Sequence, residues 1–172
     1  MHNLMMASSL TINSLMTFAE KVHPNTEIVS VTLDNPHHRY TFADAFRRSR
    51  QLANALLALG ATAGDRIGTL AWNDYRHFEL YYAVGGLGMI CHTVNPRLFP
   101  EQIDYIINHA QDRILFIDPV FVPLIEQLAE QLKTVEKIVV LTSAEQMPET
   151  TLNNVFCYET LLAFCTPENL QC

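Results

Sequence analysis

"GDRIGTLAWNDYRHFELYYAVGGLGMICHTVNPRLFPEQIDYIINHAQDRILFID", Gly64 to Asp118, decides the fold. Three short apolar stretches, Arg66–Trp72, Met89–Asn95 and Arg113–Asp118, carry β-branched residues and are bounded by turn residues, which predicts strands. The segments between them have helical spacing. Asn73 or Asp74 caps the first, Tyr75–Val84, where Tyr75, Phe78 and Tyr82 share a face and the Gly85–Gly88 run is expected to end the helix. Pro100 opens the second, with Glu101 in its first turn and Ile103, Ile106 and Ile107 facing inward. A helix over Phe121–Leu132 and a strand over Glu136–Ser143 continue the alternation. Strands and helices joined by short connections from residue 66 to 142 define an α/β fold: a mostly parallel sheet with flanking helices.

Upstream, Thr11–Val22 has apolar residues at helical spacing, and "EIVSVTLD" (Glu27–Asp34) alternates as a strand. "NPHH" (Asn35–His38) reads as a turn. In "TFADAFRRSRQLANALLALG", Thr41 and Asp44 make a start resembling a capping box, and Gly60 is a natural stop. Phe42, Phe46, Ala53, Leu56 and Leu59 form its apolar stripe. Arg47, Arg48, Arg50, Gln51 and Asn54 lie largely away from it and read as a solvated face. Beyond Ser143, "NVFCYE" (Asn154–Glu159) reads as a strand, followed by a short helix near Leu161–Phe164.

At 172 residues, 49% hydrophobic and 17% charged, the chain suits one sizeable core. The net charge of −7 is uneven: residues 1–100 hold eight Lys/Arg against seven acids, and residues 101–172 hold three against eleven. That balance argues against sequence-independent nucleic-acid binding and against attachment to anionic membranes. Cys91, Cys157, Cys165 and Cys172 show no Cys-x-x-Cys, so free thiols in a reducing compartment are expected. The amino-terminal stretch lacks a secretory apolar core, and no later stretch reaches the ~20 apolar residues of a membrane span. A cytoplasmic location is the expectation.

No catalytic constellation emerges from the residues. All six glycines lie between Gly60 and Gly88. The Gly85–Gly88 run follows a helix and precedes a strand, the reverse of a dinucleotide loop, and no Gly-x-x-x-x-Gly-Lys exists. There is no Gly-x-Ser-x-Gly and no His-Glu-x-x-His. The turn histidines His37 and His38 lack a third metal ligand, and Asp112, Asp118, Glu126 and Glu130 suggest no paired-carboxylate role. No residue is therefore read as catalytic, cofactor-binding or metal-ligating.

From His38 to Pro119 the chain resembles the N-terminal region of adenylate-forming enzymes, and most of all the AMP-forming fatty-acyl-CoA synthetases. The resemblance runs in order through Tyr40-Thr41-Phe42, the long helix, Gly64-Asp65-Arg66, Ala71-Trp72-Asn73 and "HTVNPRLFPEQ". It extends from about Ile12 to Leu141, covering medium- and long-chain and methylmercaptopropionate-CoA ligase types. It implies the N-terminal subdomain of the adenylate-forming fold, from an enzyme that activates a fatty acid or similar carboxylate with ATP and Mg²⁺ and passes the acyl group to coenzyme A. The family's Ser/Thr/Gly-rich phosphate loop, Mg²⁺-holding acid, ribose-gripping Asp and late Lys have no counterpart here. Residues 1–40 are expected to be an N-terminal helix and strand that serve dimerisation, 41–143 the α/β core, and 144–172 an irregular segment ending before the phosphate loop.

Two readings follow: the N-terminal part of an acyl-CoA ligase, inactive alone, or a free-standing non-catalytic remnant that self-associates or binds a partner. His92, Asn95, Arg97 and Trp72 are the candidate pocket rim, because open α/β sheets bind ligands at strand carboxyl ends. The competing reading has Asn95 and Pro96 shaping a turn while Arg97 pairs with an acid or carbonyl. For Trp72, Tyr81 and Tyr82 it is aromatic core packing.

Overall fold

The computed structural model describes residues 11–32 and 35–167; residues 1–10, Leu33, Asp34 and residues 168–172 lie outside that range. The strands are β1 (Glu27–Ser30), β2 (His38–Thr41), β3 (Arg66–Leu70), β4 (Ile90–Thr93), β5 (Ile114–Ile117), β6 (Lys137–Val140) and β7 (Val155–Cys157). The helices are α1 (Ile12–Val22), α2 (Phe42–Ala58), α3 (Tyr75–Gly86), α4 (Pro100–Ala110), α5 (Val122–Leu128) and α6 (Tyr158–Ala163). The sheet is all-parallel in the order β4-β3-β5-β6-β7, and β1 and β2 form a separate antiparallel pair.

Alternation along the strands divides the core. Ile67, Ile114, Phe116 and Val139 pack beneath α2, α3 and α6, against Leu52, Leu56, Leu80, Val84 and Tyr158. Leu70, Leu115, Ile117 and Val140 face the other way, against Ile103, Ile107, Val122 and Ile125 of α4 and α5. All four β5 residues are buried, as expected for a strand covered on both faces.

Local chemistry sets the element ends. Thr41 caps α2 by accepting from the Asp44 N–H, and the Asp44 carboxylate accepts from the Thr41 N–H, both at 3.2 Å. The Lys137 ammonium donates to the Leu59 carbonyl at 2.6 Å, placing a cation at the negative end of α2. Asp74 caps α3, its side chain accepting from the His77 N–H at 3.0 Å.

Three expectations are corrected. His38 is not the end of a turn but the first residue of β2, whose register against β1 (Glu27↔Thr41, Ser30↔His38) spans the turn at Asn35. Glycines do not stop α3 at Val84: the helix runs through Gly85 and Gly86, whose missing side chains leave room for α1 to cross over them. A β-carbon at Gly85 would lie 2.8 Å from Ile12 Cδ1, and one at Gly86 would lie 3.0 Å from Asn13 Nδ2. The exit is made at Gly88, which holds φ +68°. The face of α2 carrying the arginines is not simply solvated, because Arg48 turns inward (below) and Arg50 pairs with Glu20.

Candidate functional site: the crevice at the strand ends

The helix after β3 packs on one face of the sheet and the helix after β5 on the other. Adjacent parallel strands whose connections diverge in this way leave a crevice at their carboxyl ends, the position where open α/β sheets hold ligands. A cleft of about 650 Å³ lies there, within the usual range of small-molecule sites. Trp72 and Asp74 come from the β3 exit, Asp118 and Pro119 from the β5 exit, and Leu141 and Thr142 from the β6 exit. Val31, Thr32, Arg76 and Gln146 complete the lining.

The exits are tied to one another. The Asp118 N–H donates to the Leu70 carbonyl at 3.1 Å, and the Trp72 N–H donates to the buried Asp118 carboxylate at 2.6 Å. The Trp72 ring leans on Phe121, centroids 5.7 Å apart, yet keeps 41% of its surface exposed. Tyr81 is also exposed, so neither ring is the core aromatic that residue type alone suggested.

Behind the crevice lies a buried ionic network. Arg76 Nε donates to Glu159 at 2.9 Å, and Arg76 Nη1 donates to the Leu141 carbonyl at 3.2 Å. Arg48 forks onto Glu159 through Nη1 and Nη2 at 3.0–3.1 Å, and its Nε reaches Glu79 at 2.8 Å. The Tyr75 hydroxyl donates to Glu159 at 2.9 Å and the Tyr158 hydroxyl to Glu79 at 2.6 Å. Burial pushes the Glu79 carboxyl up to about 7 against the pull of Arg48. Burial also acts on Glu159, but Arg48 and Arg76 outweigh it and hold that carboxyl below the usual range. Asp74 is raised, chiefly by burial.

Of the four candidate rim residues, only Trp72 lines this crevice. β4 is an edge strand on the far side of β3, so His92, Asn95 and Arg97 lie away from it. His92 sits beside Gly68 in the parallel register, and its Nδ1 lies 2.8 Å from the fully buried Asp112 carboxylate. The Asn95 side chain accepts from the Arg97 N–H at 3.0 Å, forming a turn. Arg97 is exposed, and among the described residues its guanidinium has no ion pair or hydrogen bond. Arg76, Leu141 and Thr142 went unnoticed in the sequence, and Asp118 was weighed there only for a paired-carboxylate role. The available signal was positional, since Asp118 and Leu141 immediately follow two successive strands.

The residues present do not fit a bound nucleotide, coenzyme or metal. Both guanidiniums beside the crevice are held by Glu79 and Glu159, and the remaining charged groups on its lining are carboxylates. Among the described residues, no group of three or more His, Cys, Asp or Glu is placed to hold a metal ion. No helix among them is long and apolar enough to cross a membrane.

An all-parallel sheet with helices on both faces and a crevice at its switch point defines an open α/β unit. The AMP-binding enzyme family model matches residues 17–163, and the chain belongs to that family. It is 50% identical over 137 residues to a 3-methylmercaptopropionyl-CoA ligase of Ruegeria lacuscaerulensis, covering 80% of this chain and 25% of that protein. It is 40% identical to the medium-chain-fatty-acid–CoA ligase of Ectopseudomonas oleovorans, covering 92% of this chain and 29% of that protein. The chain thus spans about a quarter of the length of the curated relatives it matches. The crystal structure of coronafacic acid ligase from Pectobacterium brasiliense shares the fold, with TM-score 0.77 at 18% identity over 93% of this chain and 31% of that one.

Proposed function

We propose that these residues are the N-terminal part of an ATP-dependent ligase that joins an aliphatic carboxylate to coenzyme A. In that reaction the carboxylate attacks ATP, releasing pyrophosphate and forming an acyl-adenylate, and the CoA thiol then displaces AMP. The reading rests on one observation above the others, the match of the AMP-binding family over residues 17–163, supported by the identity to two CoA ligases. This chain contributes the first α/β layer. ATP, CoA and Mg²⁺ are assigned to parts of the ligase other than these residues, and the 172 residues alone form no adenylate. Free thiols at Cys91, Cys157 and Cys165 suit a cytoplasmic enzyme.

The test is a chimera in which residues 17–163 replace the matching segment of the Ectopseudomonas oleovorans ligase. ATP–pyrophosphate exchange with medium-chain fatty acids should stay within about tenfold of the parent. The 172-residue polypeptide should show none. A folded chimera with no exchange counts against the reading, and exchange by the short polypeptide refutes its inactivity.

A second reading, self-association through the N-terminal segment, is favoured by α1. Leu15, Phe18 and Val22 form an exposed apolar stripe, at 64%, 59% and 52% exposure. Sedimentation of the chain at micromolar concentration checks it: a dimer abolished by Phe18→Glu supports it, and a monomer rejects it.

A further inference from the structure

We propose that His77 is the positioning residue of the crevice, holding the Trp72 indole at the rim through the Trp72 main chain. Trp72 lines the crevice with 41% of its surface exposed, so its ring is not fixed by burial. Its peptide groups are gripped instead. The N–H donates to the Asp118 carboxylate at 2.6 Å, across from the β5 exit. The carbonyl accepts from the Asp74 N–H at 3.1 Å and lies 3.2 Å from His77 Nδ1.

A carbonyl oxygen can only accept, so His77 Nδ1 carries the ring proton and Nε2 keeps its lone pair. The Thr69 hydroxyl, 3.1 Å from Nε2, then donates to it from within β3. Thr69 is fully buried and His77 is 4% exposed, so water competes poorly for either bond. Burial also lowers the imidazole pKa, and the ring stays in the neutral form that this pattern needs. Asp74 caps the first turn of α3 by accepting from the His77 N–H, and the Tyr81 ring stacks on the imidazole at 4.9 Å. The helix itself therefore sets the direction and plane of the ring. A relay of bonds from Thr69 through His77 and Trp72 to Asp118 ties β3, α3 and the β5 exit together under one indole.

Trp72 is the one tryptophan of the 172-residue chain, so its quenching by acrylamide reports on the rim alone. Three variants separate gripping from packing. The amide of His77→Asn can donate where Nδ1 does, and that of His77→Gln reaches only toward Thr69. His77→Phe keeps the ring and its stacking on Tyr81 without either bond. The quenching constant should stay near wild type in His77→Asn and rise about twofold in His77→Gln and His77→Phe. Side-chain packing alone predicts the reverse order, with Phe tolerated best. The proposal is overturned by wild-type quenching in a Gln or Phe variant that keeps its circular dichroism spectrum, or by His77→Asn as loose as His77→Phe. The unsubstituted chain supplies a measurement that no folding defect can obscure. Nitrogen-15 spectra of the imidazole should show Nδ1 protonated and Nε2 bare; the opposite tautomer, or a ring protonated on both atoms at neutral pH, also overturns the proposal. Neither measurement involves adenylation, so this proposal and the ligase reading fail separately.

Discussion

The same parallel strands carry an arginine cluster near each end, and the two clusters obey different physics. Toward the carboxyl ends, Arg48 pairs with Glu79 and Glu159 and Arg76 with Glu159, with the Glu79 side chain fully buried and that of Arg76 5% exposed. At the amino ends, Arg113 pairs with Asp65 and Glu136, but its side chain is 34% exposed and that of Glu136 51%. Fork geometry and residue types are alike. Solvent decides the consequence: removing one partner strands an uncompensated charge in the first cluster, whereas water replaces it in the second.

The comparison is broken hardest at Glu79. Glu79→Ala leaves Arg48 and the Tyr158 hydroxyl without their buried acceptor, and should destabilise the chain by about 3–5 kcal/mol in urea unfolding. The milder Glu79→Gln separates charge from packing. Burial raises the folded Glu79 carboxyl from 4.5 to about 7, so the native state holds the extra proton between those values. The Glu79 contribution to stability should therefore fall as pH rises from about 4.5 to about 7, and Glu79→Gln should flatten that slope. A slope unchanged by the substitution would remove Glu79 as its source.

Asp112 is the intermediate case: its carboxylate is buried, while its partner His92 is 25% exposed. A β-carbon on Gly68 would lie 2.7 Å from Asp112 Oδ2 and 2.9 Å from Leu115 Cδ1. Gly68→Ala should cost about 1–3 kcal/mol by the same unfolding measurement. The smallest effect belongs to Arg113→Ala, below about 1 kcal/mol and shrinking further in high salt. A loss as large as that at Glu79 would overturn the division between the two clusters.

The same contrast explains what the sequence made legible. The sheet and its helices were readable because each depends on neighbours within a few residues: apolar runs such as "ILFI", caps such as Thr41 and Asp74, and Pro100 at a helix start. Arg48 was misread because its partners lie 31 and 111 positions away, beyond any local pattern. β2 was missed for a related reason, since "HRYT" becomes a strand only by pairing with β1. At the candidate site, Trp72 was visible as an aromatic at the carboxyl end of an expected strand. The distance of His92, Asn95 and Arg97 from the crevice depends on β4 taking the sheet edge, which no stretch of sequence encodes by itself.

The glycine pair beneath α1 has a mechanical consequence. Gly85 and Gly86 form a notch in α3, and Ile12 and Asn13 of α1 sit in it like a key in a slot. The key is seated on a completed lock: Met16 is the one buried residue of α1, and the large apolar clusters over the sheet are built without it. That arrangement leaves α1 held by the notch, Met16 and the Arg50–Glu20 pair rather than by the sheet core, and elements held in this way open locally before the core does. Its amides should therefore exchange hydrogen well before those of β5.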